Sequence, residues 1–222
     1  MADYSATRER VEDYFDRSAT KVWAALTSDA PVSRIRQTVR AGRDTMRAMM
    51  MARLPGDLTG CRVLDAGCGT GLMTAELAAR GAEVVAVDIS PQLIDIATQR
   101  LDPALAPRVT FKSGDMTDAA LGPFDFVMAM DSLIYYRAED IAAILDNLGK
   151  RTKTAVVFTV APRTPFLMTF FTLGKAFPRA DRSPTMIPHG FRHLQSLAGP
   201  GLGRVGRVSR GFYISECLEF RP

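Results

Sequence analysis

The chain is predicted to be an α/β protein: a mostly parallel, doubly wound sheet with a C-terminal antiparallel hairpin, an N-terminal helical lid and an insertion after strand five. Three observations predict it. Between residues 61 and 160, five short apolar runs rich in β-branched residues alternate with helical segments. The runs do not alternate apolar with polar, which marks strands covered on both faces. A glycine-rich turn follows the first run, where open α/β sheets bind ligands.

The elements follow in chain order. Residues 6–54 read as helical: Val11, Tyr14, Phe15, Val22, Trp23 and Leu26 recur at three- and four-residue steps. A second run after Pro31 sets Ile35, Val39, Met46, Met49 and Met50 on its apolar side, punctuated by arginines, until Pro55-Gly56-Asp57 ends it. Strands are predicted at 62–66, 83–88, 108–113, 124–130 and 154–160. Helices are predicted at 72–80, 91–101 and 138–148, the second capped by Ser90 with Pro91 at its first position. The rhythm then breaks: residues 161–190 hold five prolines and the aromatic set Phe166, Phe170, Phe171 and Phe177. A helix over 191–197 follows. Residues 202–209 and 212–220 pair as a hairpin through Arg210-Gly211. The domain reading is an N-terminal helical arm over 1–55 and a main domain over 56–222, with a substrate-covering insertion at about 161–190.

Composition narrows the class. Twenty-eight Lys and Arg against 24 Asp and Glu leave a net charge of +4, too small an excess to argue for nucleic acid. Three cysteines form neither a disulfide framework nor a metal spacing. The charged start lacks the apolar core of a signal peptide. The longest apolar-rich stretch, 165–173, falls short of the roughly 20 residues that span a bilayer. The expectation is a soluble cytoplasmic protein in a reducing compartment.

The strongest motif is VLDAGCGTG, Val63 to Gly71. Glycines let the backbone take positive φ and approach a ligand closely. The spacing is GxGxG, whereas dinucleotide binders use GxGxxG. An acidic residue, Asp65, precedes the glycines; it suits a ligand carrying an ammonium and a sulfonium, with no pyrophosphate. Asp88 ends the second strand, placed to accept from both ribose hydroxyls. Asp115 follows the third strand, placed to meet an adenine amine with Met116 along the ring. The candidate cofactor set is Asp65, Gly67, Cys68, Gly69, Gly71, Asp88, Ile89, Asp115, Met116 and Met130, with Tyr14 closing over it.

This constellation resembles the class I, Rossmann-like S-adenosylmethionine (SAM)-dependent methyltransferases over residues 60–160. A closer resemblance rests on VEDYFDR at 11–17, AMDSLIYY at 129–136, FTVAPRTPFLMTFFTLGKAFPRADRSP at 158–184 and RGFYISECLEF at 210–220. These runs are similar to the magnesium-protoporphyrin IX O-methyltransferases of bacteriochlorophyll biosynthesis. The resemblance implies methyl transfer from SAM to one propionate of magnesium-protoporphyrin IX, giving the monomethyl ester and S-adenosylhomocysteine (SAH). It implies no protein-bound metal, magnesium entering only within the substrate. It also implies the porphyrin-binding subunit of magnesium chelatase as a partner and peripheral contact with the photosynthetic membrane, to which the greasy 165–173 run lends itself.

Chlorophyll-pathway relatives carry a His-Tyr pair after strand four and a Tyr beyond the N-terminal Trp. Here those positions hold Tyr135, followed by Tyr136, and Thr27, so the roles of that His and Tyr do not carry over. A propionate has an ordinary pKa of about 4.3 and is ionised at pH 7, so its methylation needs no general base. Tyr135 and Tyr136 are therefore the candidate catalytic residues as positioners. Arg34, Arg40, Arg163, Arg179 and His189 are the candidate substrate contacts, drawn from arginine sets that also include Arg36, Arg43, Arg47 and Arg182. The alternative acceptor is another aromatic small molecule, a quinone precursor or phenol. That chemistry needs a base, and the chain has only two histidines. A SAM-binding regulator and a nicotinamide-dependent dehydrogenase fit the hydrophobic insertion and the GxGxG spacing less well.

Overall fold

The computed structural model describes residues 2–14, 34–165, 167–169 and 186–222. The described helices and strands, in chain order, are α1 (Ala2–Tyr14), α2 (Arg34–Met51), β1 (Arg62–Ala66), α3 (Leu72–Ala79), β2 (Glu83–Asp88), α4 (Pro91–Arg100), β3 (Val109–Ser113), β4 (Phe124–Ala129), α5 (Ala138–Gly149), β5 (Thr152–Pro162), β6 (Pro188–His189), α6 (Phe191–Ala198), β7 (Leu202–Arg210) and β8 (Tyr213–Phe220). The sheet runs β3-β2-β1-β4-β5-β8-β7, with β6 beside β5. Strands β1 to β5 are parallel, and β8 and β7 antiparallel. The predicted sheet and closing hairpin are both present.

Alternate residues of each central strand enter opposite cores, as the two-residue period of a strand requires. Leu64, Val85, Val87 and Val127 pack beneath α5 and α6; Val63, Val84, Ala86 and Met128 pack beneath α2 and α3. Strand β3 departs from the prediction of cover on both faces, because it lies at the sheet edge and is half exposed. Strand β5 is longer than predicted at both ends. Thr152 pairs with Phe124, and Ala161 and Pro162 pair with β6, so the insertion starts two residues later than the sequence implied.

Helix α2 is a structural layer of the core. Met46, Met50 and Met51 are wholly buried, worth roughly 1.5–3 kcal/mol each. Small residues let it lie flat on β7 and β8: a Cβ on Gly42 would meet the Tyr213 ring at 2.7 Å, and one on Gly206 would meet Met49 Sδ at 2.9 Å. The division at residue 55 therefore does not divide the core. Phe15, Val22, Trp23, Thr27, Phe166, Phe170, Phe171, Phe177, Arg179 and Arg182 lie outside the described residues, as does the Arg34 side chain.

Candidate cofactor and acceptor site

The chain order reverses between β1 and β4, which opens a crevice at the carboxyl ends of the strands. Its empty volume is about 1040 Å³, open mouth included. That matches the large end of the range for small-molecule sites, roughly 300–1,000 Å³.

The glycine turn forms the floor. Gly67, Gly69 and Gly71 all have positive φ. The amides of Gly67 and Cys68 donate to the Val87 carbonyl, tying the turn to β2. Above Gly69 there is open space, with no atom within 4 Å of where a Cβ would stand. Gly71 has a packing role as well. It caps α3 and packs on Ala97, whose Cβ lies 3.1 Å from an added one.

Each of β1 to β4 is followed by, or ends in, an aspartate that borders the crevice. Asp65 is buried and accepts from Thr74 Oγ1 at 2.6 Å. Burial pushes its carboxyl up to about 7, against the Thr74 hydrogen bond. Asp88 accepts from Gly69 N at 2.8 Å and from Ser90 N at 3.0 Å. Asp115 is more heavily engaged than the sequence implied: it accepts from Tyr4 OH at 2.7 Å, from Thr117 N and Oγ1, and from Arg8 at 3.2 Å. Burial raises its pKa, but the bonds from Thr117, Tyr4 and Arg8 outweigh that and hold it below the usual carboxylate range. Ile89, Met116 and Met130 line the crevice.

Helix α1 closes one wall. Tyr4, Arg8 and Val11, spaced i, i+4, i+7, face the crevice, and Tyr4 stacks on Tyr136 with ring centroids 5.2 Å apart. Tyr14 stands a turn beyond Val11 and interacts electrostatically with Tyr135, which lines the crevice.

The fourth aspartate, Asp131, has φ 56, the one non-glycine positive φ among the described residues. Its carboxylate accepts from Arg43 at 2.6 Å, from Tyr213 OH at 3.0 Å and from Thr159 Oγ1 at 3.1 Å, and its amide donates to Thr159 Oγ1 at 2.7 Å. Asp131 was not among the candidate site residues, although an acid at or just after the end of β2, β3 and β4 was the available signal.

Tyr135 and Tyr136 both line the crevice, and burial pushes both phenols well above their ordinary pKa. The arginines at the crevice are Arg8, Arg43 and Arg47, not Arg40 or Arg163. Arg40 lies one turn before Arg43, about 4.5 Å back along the helix. Arg163 is exposed, its amide donating to the His189 carbonyl. Arg47 is paired with Asp44 and Glu76. His189 is also corrected: it is buried, and its Nε2 donates to the Tyr136 carbonyl at 3.0 Å, away from the crevice. Burial lowers its pKa and keeps it neutral. Among the described residues no cluster of three or more His, Cys, Asp or Glu could hold a metal ion.

The donors and acceptors fit SAM. Its ammonium and sulfonium suit an acidic crevice, its ribose hydroxyls suit Asp88, and the open space over Gly69 admits it. The comparisons agree. The family model described as "Magnesium-protoporphyrin IX methyltransferase C-terminus" matches residues 129–222, and a methyltransferase domain model matches residues 63–154. The chain is 67% identical to magnesium-protoporphyrin O-methyltransferase of Rhodobacter capsulatus, over 100% of this chain and 99% of that one. It is 28% identical to the chloroplastic magnesium protoporphyrin IX methyltransferase of Arabidopsis thaliana, over 97% of this chain and 71% of that one. The crystal structure of magnesium protoporphyrin IX methyltransferase from Synechocystis PCC 6803 with bound SAH superposes with a TM-score of 0.80 at 29% identity, over 96% of this chain and 98% of that one. By sequence and fold together, the chain belongs to the magnesium-protoporphyrin O-methyltransferase family.

Proposed function

We propose that this chain transfers the methyl group of SAM to a propionate carboxylate of magnesium-protoporphyrin IX, giving the monomethyl ester and SAH. The observation that carries the choice of acceptor is the chemistry of the crevice wall. It contains phenols pushed upward in pKa and no histidine among the described residues. Such phenols stay protonated at pH 7 and offer hydrogen bonds, which suits an acceptor already ionised there. A phenol acceptor would have to lose a proton, which neither Tyr135 nor Tyr136 is poised to take.

Bound SAM supplies an electrophilic methyl group on a sulfonium. Asp88 and the Gly67–Gly69 turn hold the nucleoside side. Tyr135 and Tyr136 orient the acceptor oxygen towards the methyl group. Helix α1, pinned by Tyr4 and Arg8 on Asp115, excludes water, and this dry, fixed geometry carries most of the rate. One propionate is clamped by arginine and the other left unpaired to react, since an oxygen held by a guanidinium is a poorer nucleophile. Arg34, Arg40 and Arg179 remain candidates for that clamp.

The test mixes purified protein, SAM and magnesium-protoporphyrin IX and separates the pigments by chromatography. A monomethyl ester peak that requires SAM supports the proposal. SAH binding without ester would redirect the search to quinone and phenol acceptors.

We further propose that the protein works in the cytoplasm at the surface of the photosynthetic membrane and takes its porphyrin from the porphyrin-binding subunit of magnesium chelatase. A poorly soluble macrocycle favours both. No described helix is long and apolar enough to cross a membrane. Recovery wholly in the supernatant at low salt would refute the first, and an ester rate unchanged by adding the chelatase subunit would refute the second.

A further inference from the structure

We propose that the hydroxyl of Ser132 is a cofactor-positioning group that donates a hydrogen bond to the carboxylate at the amino-acid end of SAM and SAH. The inference rests on the reading that the crevice binds SAM, and it adds a contact that the glycine turn and the strand-end aspartates do not supply. Ser132 Oγ is buried and has no hydrogen-bond partner, although it borders the crevice. A buried polar atom without a partner costs roughly 1–3 kcal/mol, so an unmet donor in a ligand crevice marks a place for the ligand.

Its location selects the part of the ligand. Asp88 ends β2 and Asp115 follows β3, so the ribose and adenine lie over the β2 and β3 side of the sheet. The remainder of the cofactor must then extend towards β1 and β4. Ser132 stands on that seam: a Cβ on Gly67 would be 2.4 Å from Ser132 Cβ and 3.1 Å from its Oγ. Three nearby donors are already engaged, Gly69 N with Asp88, Arg43 with Asp131 and Arg47 with Asp44 and Glu76. Arg8 Nε also lacks a partner, but Arg8 belongs to the Asp115 side. Asp65 borders the same crevice and suits the ammonium, and the neutral Ser132 hydroxyl suits the carboxylate beside it.

The backbone supports the assignment. Residue 131 holds a left-handed conformation that costs on the order of 1–3 kcal/mol outside glycine, and partners from α2, β5 and β8 hold it there. The result is a fixed corner that turns the next side chain, Ser132, against Gly67.

Calorimetric titration of wild-type protein and Ser132→Ala with two probes tests this. SAH carries the amino-acid end; 5′-methylthioadenosine is the same nucleoside thioether without it. The expected result is SAH affinity about tenfold weaker in Ser132→Ala and 5′-methylthioadenosine affinity unchanged, with an unchanged melting temperature. Equal weakening of both probes, or no change in either, would overturn the proposal. If wild-type protein failed to bind SAH at all, the reading of the crevice itself would fall.

Discussion

The cofactor side and the acceptor side of the crevice are built from different distances along the chain. Asp65, Gly67, Gly69, Asp88 and Asp115 come from strand ends within some fifty residues, each placed by its own strand and turn. The β4 corner is assembled from the two ends of the molecule: Arg43 reaches Asp131 from α2, and Tyr213 reaches it from β8. Tyr4 bridges a still longer separation to Asp115. The cofactor floor is therefore a local motif that tolerates variation elsewhere, whereas the acceptor wall exists only when the termini are docked.

The largest effect should come from breaking the floor where it meets that wall. Gly67→Ala places a Cβ 2.4 Å from Ser132 Cβ at φ +82. Strain and overpacking together cost about 2–5 kcal/mol, so SAH binding should vanish and the melting temperature fall. Ser132→Gly added to it should restore part of the stability. Next comes Asp88→Ala, which strips the acceptor from the amides of Gly69 and Ser90. SAH affinity should fall about 100-fold by calorimetry, near 2.7 kcal/mol, with ester formation lost at cellular SAM levels.

The long-range wall is probed by a double-mutant cycle with Arg43→Met and Asp131→Asn. The pair is mostly buried at 2.6 Å. Its coupling energy in urea unfolding should be about 1–3 kcal/mol. A coupling near zero would mean that α2 is held by Met46 and Met50 alone. The smallest effect concerns pH. The Asp65 carboxyl is pushed up to about 7, so it is ionised above that and neutral below. A cationic ammonium binds the ionised form, so SAH affinity should fall as pH drops from 8 to 6, by roughly up to tenfold per unit below 7. Asp65→Asn should flatten the slope.

What could be read from the sequence follows the same division. Asp88, Gly67 and Gly69 were legible because a strand end and a turn fix their surroundings within a few residues. The packing of Gly71 on Ala97 was not legible, because that contact comes from α4 and the motif does not encode it. Tyr4 was missed because the helical reading began at residue 6, while α1 starts at Ala2. The choice of Arg43 over Arg40 depends on how Met46 and Met50 seat α2 on the sheet, which helical periodicity alone does not give. His189 looked available as a rare histidine, but the short β6 pairing buries it against the Tyr136 carbonyl.

The central claim is that the tyrosine wall positions an already ionised acceptor and removes no proton. The pH dependence of ester formation at saturating SAM, from about 7.5 to 9.5, tests it most directly. A flat profile, with Tyr135→Phe slower by about tenfold or less and equally flat, is the predicted result. A rate that climbs with pH in the wild type and is lost by 1,000-fold or more in Tyr135→Phe would contradict it, because it would make the phenol a base.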